Sequence, residues 1–148
     1  MSDTRKKALK YLKKVIEDPQ SYGLNICPKQ RDDLKKVVKD NHSSLLSTSK
    51  FFEPWESWTK KETWWLDLPI KKIRKNKEKD YYLLGAHDKK KTTFVIVKVP
   101  NKFLIEHLKS FETPDNNKIR LHLAAYKANW LVDERGKGKL DFSQFEVK

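Results

Sequence analysis

The chain has 148 residues, a length that suits one domain and allows about two-thirds of the surface of the unfolded chain to be buried. Lys and Arg number 33 against 20 Asp and Glu, so the formal net charge is +13 at pH 7, which indicates a polyanionic partner, nucleic acid before an anionic membrane surface. No apolar run approaches the roughly 18 residues of a membrane span, and the N-terminus lacks the apolar core of a signal peptide. We therefore expect a cytoplasmic protein that does not cross a membrane.

The first third of the chain is predicted to be helical. Apolar residues at helical spacing predict a helix over residues 4–17 with lysines on its outer side, and Pro28 is placed to begin a second helix. Residues 40–50 are polar and predict a connection. We therefore expect an N-terminal helical part over residues 1–48 and an α+β domain over residues 49–148, together forming one compact unit.

The later part of the chain alternates apolar and polar residues, a pattern typical of strands. The predicted strands are residues 63–69, 81–86, 92–99, 118–126 and 129–132. The second and third form a hairpin joined by residues 87–91, and residues 100–111 form a short helix that Asn101 begins. The expected fold is therefore α+β: a mostly antiparallel sheet on which the N-terminal helices and one further helix pack.

Residues 51–65 are unusually rich in aromatic side chains. They include Phe51, Phe52, Trp55, Trp58, Trp64 and Trp65. Because Trp64 and Trp65 are neighbours in a predicted strand, their side chains must point to opposite faces of the sheet. One interpretation is a small aromatic core under a covering turn. The other is a pocket whose indole faces stack on bases for about 1 to 3 kcal/mol each. The candidate base-stacking residues are Trp55, Trp58, Trp64 and Trp65.

Clusters of basic residues are the candidate phosphate contacts. They are Lys72, Arg74, Lys75, Lys89, Lys90, Lys91, Arg135, Lys137 and Lys139. In residues 134–139, Gly136 and Gly138 would let backbone amides approach an anion closely, and an ordinary hairpin turn is the alternative. The segment lacks the P-loop spacing, which argues against nucleoside triphosphate binding. Lysine supplies 28 of the 33 cations, as an A- and T-rich genome would also produce, so a solubilising role stays open.

The sequence carries no recognisable metal or cofactor motif. Cys27 is the single cysteine, which excludes an internal disulfide and a multi-cysteine zinc site. Neither HExxH nor a paired ligand spacing occurs among the histidines, which are His42, His87, His107 and His122. We therefore expect no cofactor. His122 shares the polar face of a predicted strand with Arg120, where it is either a ligand contact or an ordinary surface residue.

Catalytic motifs are equally weak. A magnesium-dependent nuclease of the restriction type needs an Asp followed by Glu-x-Lys on an adjacent strand. The sole Glu-x-Lys is residues 146–148, and Lys98 has no acid two positions before it. Asp67, Asp80 or Asp88 would have to serve without the expected partner. No GxSxG nucleophile motif occurs, so the sequence does not support catalysis.

Several segments between residues 63 and 146, among them TWWLDLP, TTFVIVKVP and DERGKGKLDFSQF, resemble bacterial and archaeal restriction endonucleases and their accessory DNA-recognition domains. The resemblance implies a DNA partner and a place in prokaryotic defence, with RNA as a second possible ligand. We expect a DNA-binding protein or recognition module whose basic surface contacts the phosphate backbone and whose aromatic pocket reads a base or local shape. The alternatives are a divergent magnesium-dependent endonuclease and a protein-interaction module with solubilising lysines.

Overall fold

The computed structural model describes residues 3–22, 27–39, 45–57, 59–86 and 94–147. Its helices and strands are α1 (Asp3–Glu17), α2 (Pro28–Lys39), β1 (Leu46–Ser49), β2 (Thr63–Pro69), α3 (Ile70–Lys75), β3 (Asp80–Ala86), β4 (Phe94–Pro100), α4 (Asn101–Glu106) and β5 (Lys118–Ala124). Single turns of 3₁₀ helix lie between or after these elements, among them Leu108–Ser110 directly behind α4. The protein therefore has the predicted α+β fold.

The strands form two sheets. β1, β3 and β4 form a three-stranded sheet in the order β1-β3-β4, in which β1 runs parallel to β3 and β3 runs antiparallel to β4. β2 and β5 form an antiparallel pair. Two of the three strand pairings in the described part of the chain are thus antiparallel, and the parallel one is made by the short β1.

The chain is layered in the order helices, three-stranded sheet, two-stranded sheet. Along β3, Tyr82 and Leu84 point to one face and pack with Leu12, Val15 and residues of α2. The alternate residues of β3 and β4 point to the other face and pack against the inner face of the β2–β5 pair; they are Tyr81, Leu83, Val97 and Val99. The three-stranded sheet is therefore covered on both faces, while the β2–β5 pair keeps an outer face.

Most of the predicted elements are confirmed, and three are not. Residues 46–49, predicted as part of a connection, form β1, because Leu46 is buried and the backbone pairs with the edge of β3. The strand predicted at residues 129–132 is a turn in which Leu131 has φ of 60° and the chain makes isolated bridges. The helix α3 was not predicted; it buries Ile70 and Ile73. The division near residue 48 falls inside β1 and stays a prediction.

Trp64 joins the two sheets. Its side chain is 1% exposed, and its indole N–H donates a hydrogen bond of 2.7 Å to the carbonyl oxygen of Ala86. The ring lies flat against Gly85, where an added Cβ would be 2.7 Å from ring carbons. Trp130 packs edge-on against the same ring at a centroid distance of 5.5 Å. Glycine is therefore required at position 85, the residue before the last of β3, because the indole approaches its Cα closely and not because of its backbone conformation.

The contact between Trp64 and Gly85 predicts a specific energetic coupling. Gly85→Ala should lower the free energy of unfolding by about 1 to 3 kcal/mol, because the new methyl group overlaps the indole. Trp64→Leu removes the ring, so the same glycine substitution should cost less in that background. Urea denaturation of the two single variants and the double variant measures the coupling. If the losses in the free energy of unfolding were additive, the contact between Trp64 and Gly85 would be contradicted.

Candidate functional site

The outer face of the β2–β5 pair carries four side chains in two opposed pairs. Since residues alternate along β2, burying Trp64 sends Trp65 and Asp67 outward. The register of the antiparallel pair places His122 opposite Trp65 and Arg120 opposite Asp67. Two residues of β2 and two of β5 are thereby brought together from positions more than fifty residues apart in the chain.

Three rings stand side by side across this face, and we call Phe52, Trp65 and His122 the ring ladder. Phe52 and Trp65 stack with centroids 4.0 Å apart and planes at 16°, and Trp65 and His122 with centroids 4.8 Å apart and planes at 8°. Phe52 pairs with Thr63 along the edge of β2 away from β5, so Phe52 and His122 cover opposite faces of Trp65. Both faces of the Trp65 ring are therefore covered by rings of the protein itself.

Beside the ring ladder lies a cleft of about 330 Å³. Its lining side chains are Trp65, Asp67, Arg120, His122 and Arg135. Arg120 Nε donates to Asp67 Oδ1 at 3.2 Å, and within the described ranges its two terminal nitrogens make no hydrogen bond. Lys118 Nζ lies 3.5 Å from the other oxygen of Asp67. Asp67 is thus shared by two cations, and the cleft keeps a surplus of guanidinium donors.

His122 is neutral in this environment. Burial lowers the pKa of its imidazole to about 4, and the guanidinium groups of Arg135 and Arg120 act in the same direction, while Asp67 opposes them. At neutral pH the ring therefore offers one N–H donor and one nitrogen acceptor. Burial is the largest cause of the low pKa, and the two guanidinium groups together add to it.

Asp133 fixes the loop that brings Arg135 to the cleft. Its side chain is fully buried and accepts hydrogen bonds from the backbone N–H groups of His122 at 3.1 Å, Arg135 at 3.1 Å and Gly136 at 3.2 Å. Burial raises the pKa of the Asp133 carboxyl, and these three N–H groups act against that rise. A single carboxylate therefore ties the loop to β5.

The glycines of this loop serve packing rather than anion binding. A Cβ at Gly136 would lie 2.4 Å from the carbonyl oxygen of Ser110, and one at Gly138 would lie 2.4 Å from Ser110 Cβ. Their amides are also occupied, since Gly136 donates to Asp133 and Gly138 donates to the Ser110 carbonyl at 3.1 Å. Both amides are therefore used within the protein, which favours the ordinary-turn interpretation of this segment over the anion-binding one.

The predicted stacking residues separate in the structure. Trp64 is core, which corrects its assignment as a base-stacking residue. Trp65 reaches the cleft with its ring covered on both faces by the ring ladder. Trp55 is 69% exposed in the turn before β2. Trp58 lies outside the described residues.

The predicted phosphate contacts also occupy different places. Lys72, Arg74 and Lys75 are exposed on α3, where Arg74 borders a separate groove between α3 and α4. Arg135 lines the cleft, and its Nη2 lies 3.8 Å from Glu112 Oε1. Lys137 and Lys139 are exposed, and Lys139 Nζ donates to the Glu134 carbonyl at 2.6 Å. Lys89, Lys90 and Lys91 lie outside the described residues.

The residues considered for a nuclease centre are engaged in other pairs. Asp80 Oδ2 lies 3.6 Å from Lys98 Nζ, and Asp67 pairs with Arg120. Among the described residues, no group of three or more His, Cys, Asp or Glu side chains is arranged to hold a metal ion. Asp88 and Lys148 lie outside the described residues.

Comparison with protein-family models, curated proteins and solved structures finds no match for the chain. The resemblance to restriction endonucleases and their accessory domains therefore stays a prediction. No helix in the described ranges is long and apolar enough to span a membrane.

The depressed pKa of His122 predicts a pH dependence of stability. Between pH 6.5 and about 4 the unfolded chain binds a proton that folded His122 does not, so the free energy of unfolding falls as the pH is lowered through this window. His122→Phe keeps a ring beside Trp65 and removes the titration. The loss of stability from pH 7 to about pH 4 should be about 1 to 3 kcal/mol smaller in His122→Phe than in the original protein, by urea denaturation at each pH.

The buried Asp133 also contributes to the pH dependence of stability, but it does not affect the comparison of the two proteins. Its raised pKa makes the opposite contribution, adding stability as the pH falls, but it is present in both proteins and cancels in the difference. Equal pH dependence of the two proteins would mean that the pKa of folded His122 is not lowered by burial and by the neighbouring guanidinium groups.

Proposed function

We propose that the protein binds DNA and that the cleft beside the ring ladder contacts the nucleic acid. The observation that carries the proposal is the pair of guanidinium groups of Arg120 and Arg135, both of which line one cleft next to a wall of stacked rings. The formal net charge of +13 supports a polyanion as the partner.

The chemistry of the cleft suits a phosphate or the polar edge of a base. A guanidinium group can donate two parallel hydrogen bonds to a phosphate or to O6 and N7 of guanine. Asp67 holds Arg120 through Nε, which orients the guanidinium and leaves its terminal nitrogens for a ligand. Neutral His122 contributes a flat uncharged ring to the wall of the cleft, so the guanidinium groups are the charged donors of the site.

Exposed cations elsewhere supply affinity without sequence preference. Lys72, Arg74 and Lys75 project from α3, and Lys137 projects from the loop that carries Arg135. Contacts of this kind release counterions from the nucleic acid, so affinity falls steeply as salt is raised. In this proposal the exposed basic side chains attract DNA without sequence preference, and the cleft positions the DNA on the protein.

Fluorescence anisotropy with a labelled DNA duplex tests the proposal. The original protein should bind with an affinity that falls steeply between about 50 and 200 mM salt. Arg120→Gln combined with Arg135→Gln should weaken binding about 10-fold or more, since two hydrogen-bonded phosphate or base contacts are lost. A labelled RNA of the same sequence in the same assay shows which nucleic acid is preferred.

Lys10→Gln combined with Lys36→Gln is the matched control. It removes the same charge from exposed positions of α1 and α2, on the far side of the three-stranded sheet from the β2–β5 pair. The control should lose no more than about 3-fold, the effect of long-range charge alone. Equal losses in both variants would exclude the cleft as the contact, and no binding at low salt would exclude nucleic acid as the partner. Magnesium in the buffer and a gel of the recovered DNA detect cleavage.

A further inference from the structure

The groove between α3 and α4, which we call the helix groove, has a volume of about 780 Å³, more than twice that of the cleft. Apolar side chains of the core or packed against it line its deeper part; they are Ile70, Ile105 and Leu108. Arg74 and Lys109 also line it, and both are exposed. The contact proposed between DNA and the cleft does not use this groove.

The helix groove carries an excess of positive charge. Besides the two cations, Arg74 and Lys109, its lining includes the exposed carboxylate of Glu106. Within the ranges that the structure describes, none of these three side chains forms an ion pair. Uncompensated cations beside apolar surface suit a sugar–phosphate backbone, because phosphate oxygens accept from the cations and the deoxyribose covers the apolar surface.

One chain segment, residues 110–116, separates the helix groove from the cleft. Thr113 lines the groove. The carbonyl oxygen of its neighbour Glu112 accepts from the N–H of Arg120 at 2.9 Å, and Glu112 Oε1 lies 3.8 Å from Arg135 Nη2. Because Arg120 and Arg135 line the cleft, consecutive residues of one segment contact the two sites. The helix groove and the cleft are therefore adjacent.

The connection from β2 to α3 limits how far apart the two sites can be. Asp67 lines the cleft, Ile70 begins α3 and Arg74 lines the helix groove. Three extended residues span about 10 Å and four helical residues about 6 Å, so the Cα atoms of Asp67 and Arg74 are at most about 16 Å apart. Phosphates follow one another every 3.4 Å or so along the axis of a DNA strand, so about five of them cover this distance.

We propose that the helix groove is a second contact for DNA and takes the sugar–phosphate backbone of the strand that occupies the cleft. Arg74 and Lys109 bind phosphates there, and Glu106 repels them. The proposal rests on the proposed function for the class of partner and adds the path that the DNA follows across the protein.

Variants that change the charge of the helix groove in opposite directions test the proposal by anisotropy with a labelled duplex. Arg74→Gln combined with Lys109→Gln should weaken binding about 5-fold or more and lower the slope of log affinity against log salt by about 1 to 2, because two phosphate contacts are lost. Glu106→Gln removes a carboxylate that repels phosphate, so it should tighten binding about 2-fold or more. Tighter binding cannot result from a loss of folded protein.

Matched controls carry the same charge changes on the far side of the three-stranded sheet. Lys10→Gln combined with Lys36→Gln should leave the salt slope nearly unchanged, and Glu17→Gln, at an exposed position of α1, should tighten binding less than Glu106→Gln does. If the groove variants affect DNA binding no more than these controls, the helix groove is not a DNA contact. Since all the substituted side chains are exposed, each variant should unfold at the same urea concentration as the original protein.

The failure of this proposal is distinguishable from the failure of the proposed function. If the cleft variant weakens DNA binding and the groove variants behave like their controls, the second contact alone is overturned. If the groove variants change binding and the cleft variant does not, the helix groove stands as a DNA contact and the cleft is excluded. If no DNA binds the original protein at low salt, both proposals are overturned.

Discussion

The packing of Trp64 between the two sheets is the contact on which the rest of the structure depends. The indole is buried against Gly85 and hydrogen-bonded to Ala86, so it fixes which face of β2 is turned inward. Because successive side chains of a strand point to opposite faces, Trp65 and Asp67 then lie on the outer face. A slip of β2 by one residue would bury a carboxylate and expose Leu66 and Leu68, which makes this arrangement strongly favoured.

A second set of polar contacts holds the outer face in position. Ser49 Oγ accepts from the N–H of Trp65 at 2.9 Å, and Ser47 Oγ donates to the carbonyl of Asp67 at 2.7 Å, so β1 supports β2 from the side. On the other side, Asp133 ties the Arg135 loop to β5 through backbone amides. The cleft is therefore built from side chains on strands and one pinned loop, which limits the reorganisation needed to bind a ligand.

The elements that follow local pattern were predictable from the sequence, and those that depend on distant contacts were not. The periodicity of α1, the alternation in β2 and the opposite orientations of Trp64 and Trp65 are local properties. The sequence did not indicate which tryptophan is inside, because that depends on Gly85, which lies 21 residues after Trp64. The polar strand β1 was not predicted for a similar reason. Its serine side chains hydrogen-bond to the backbone of β2, and its own backbone pairs with β3, and both contacts are distant in the chain.

The candidate site was only partly predictable. Arg135 was identified from its basic segment, whereas Arg120 and His122 were noted only as neighbours on one strand face, with a ligand contact and an ordinary surface position both left open. Their meeting with Trp65 and Asp67 depends on the β2–β5 register, a pairing between segments far apart in the chain. The glycines beside Arg135 looked like an anion loop because sequence does not show that Ser110 packs against them.

The most direct test of the cleft as the DNA contact is an NMR titration of the His122 ring with pH, in the free protein and with saturating single-stranded or duplex DNA. His122→Phe assigns the resonance, and the other histidines serve as internal references. A phosphate or base oxygen beside Arg120 and Arg135 would offset their charge, so the pKa of His122 should rise from about 4 by the part that these two cations contribute, while burial keeps it below its ordinary value of 6.5. An unchanged pKa with DNA bound would contradict a contact at this cleft.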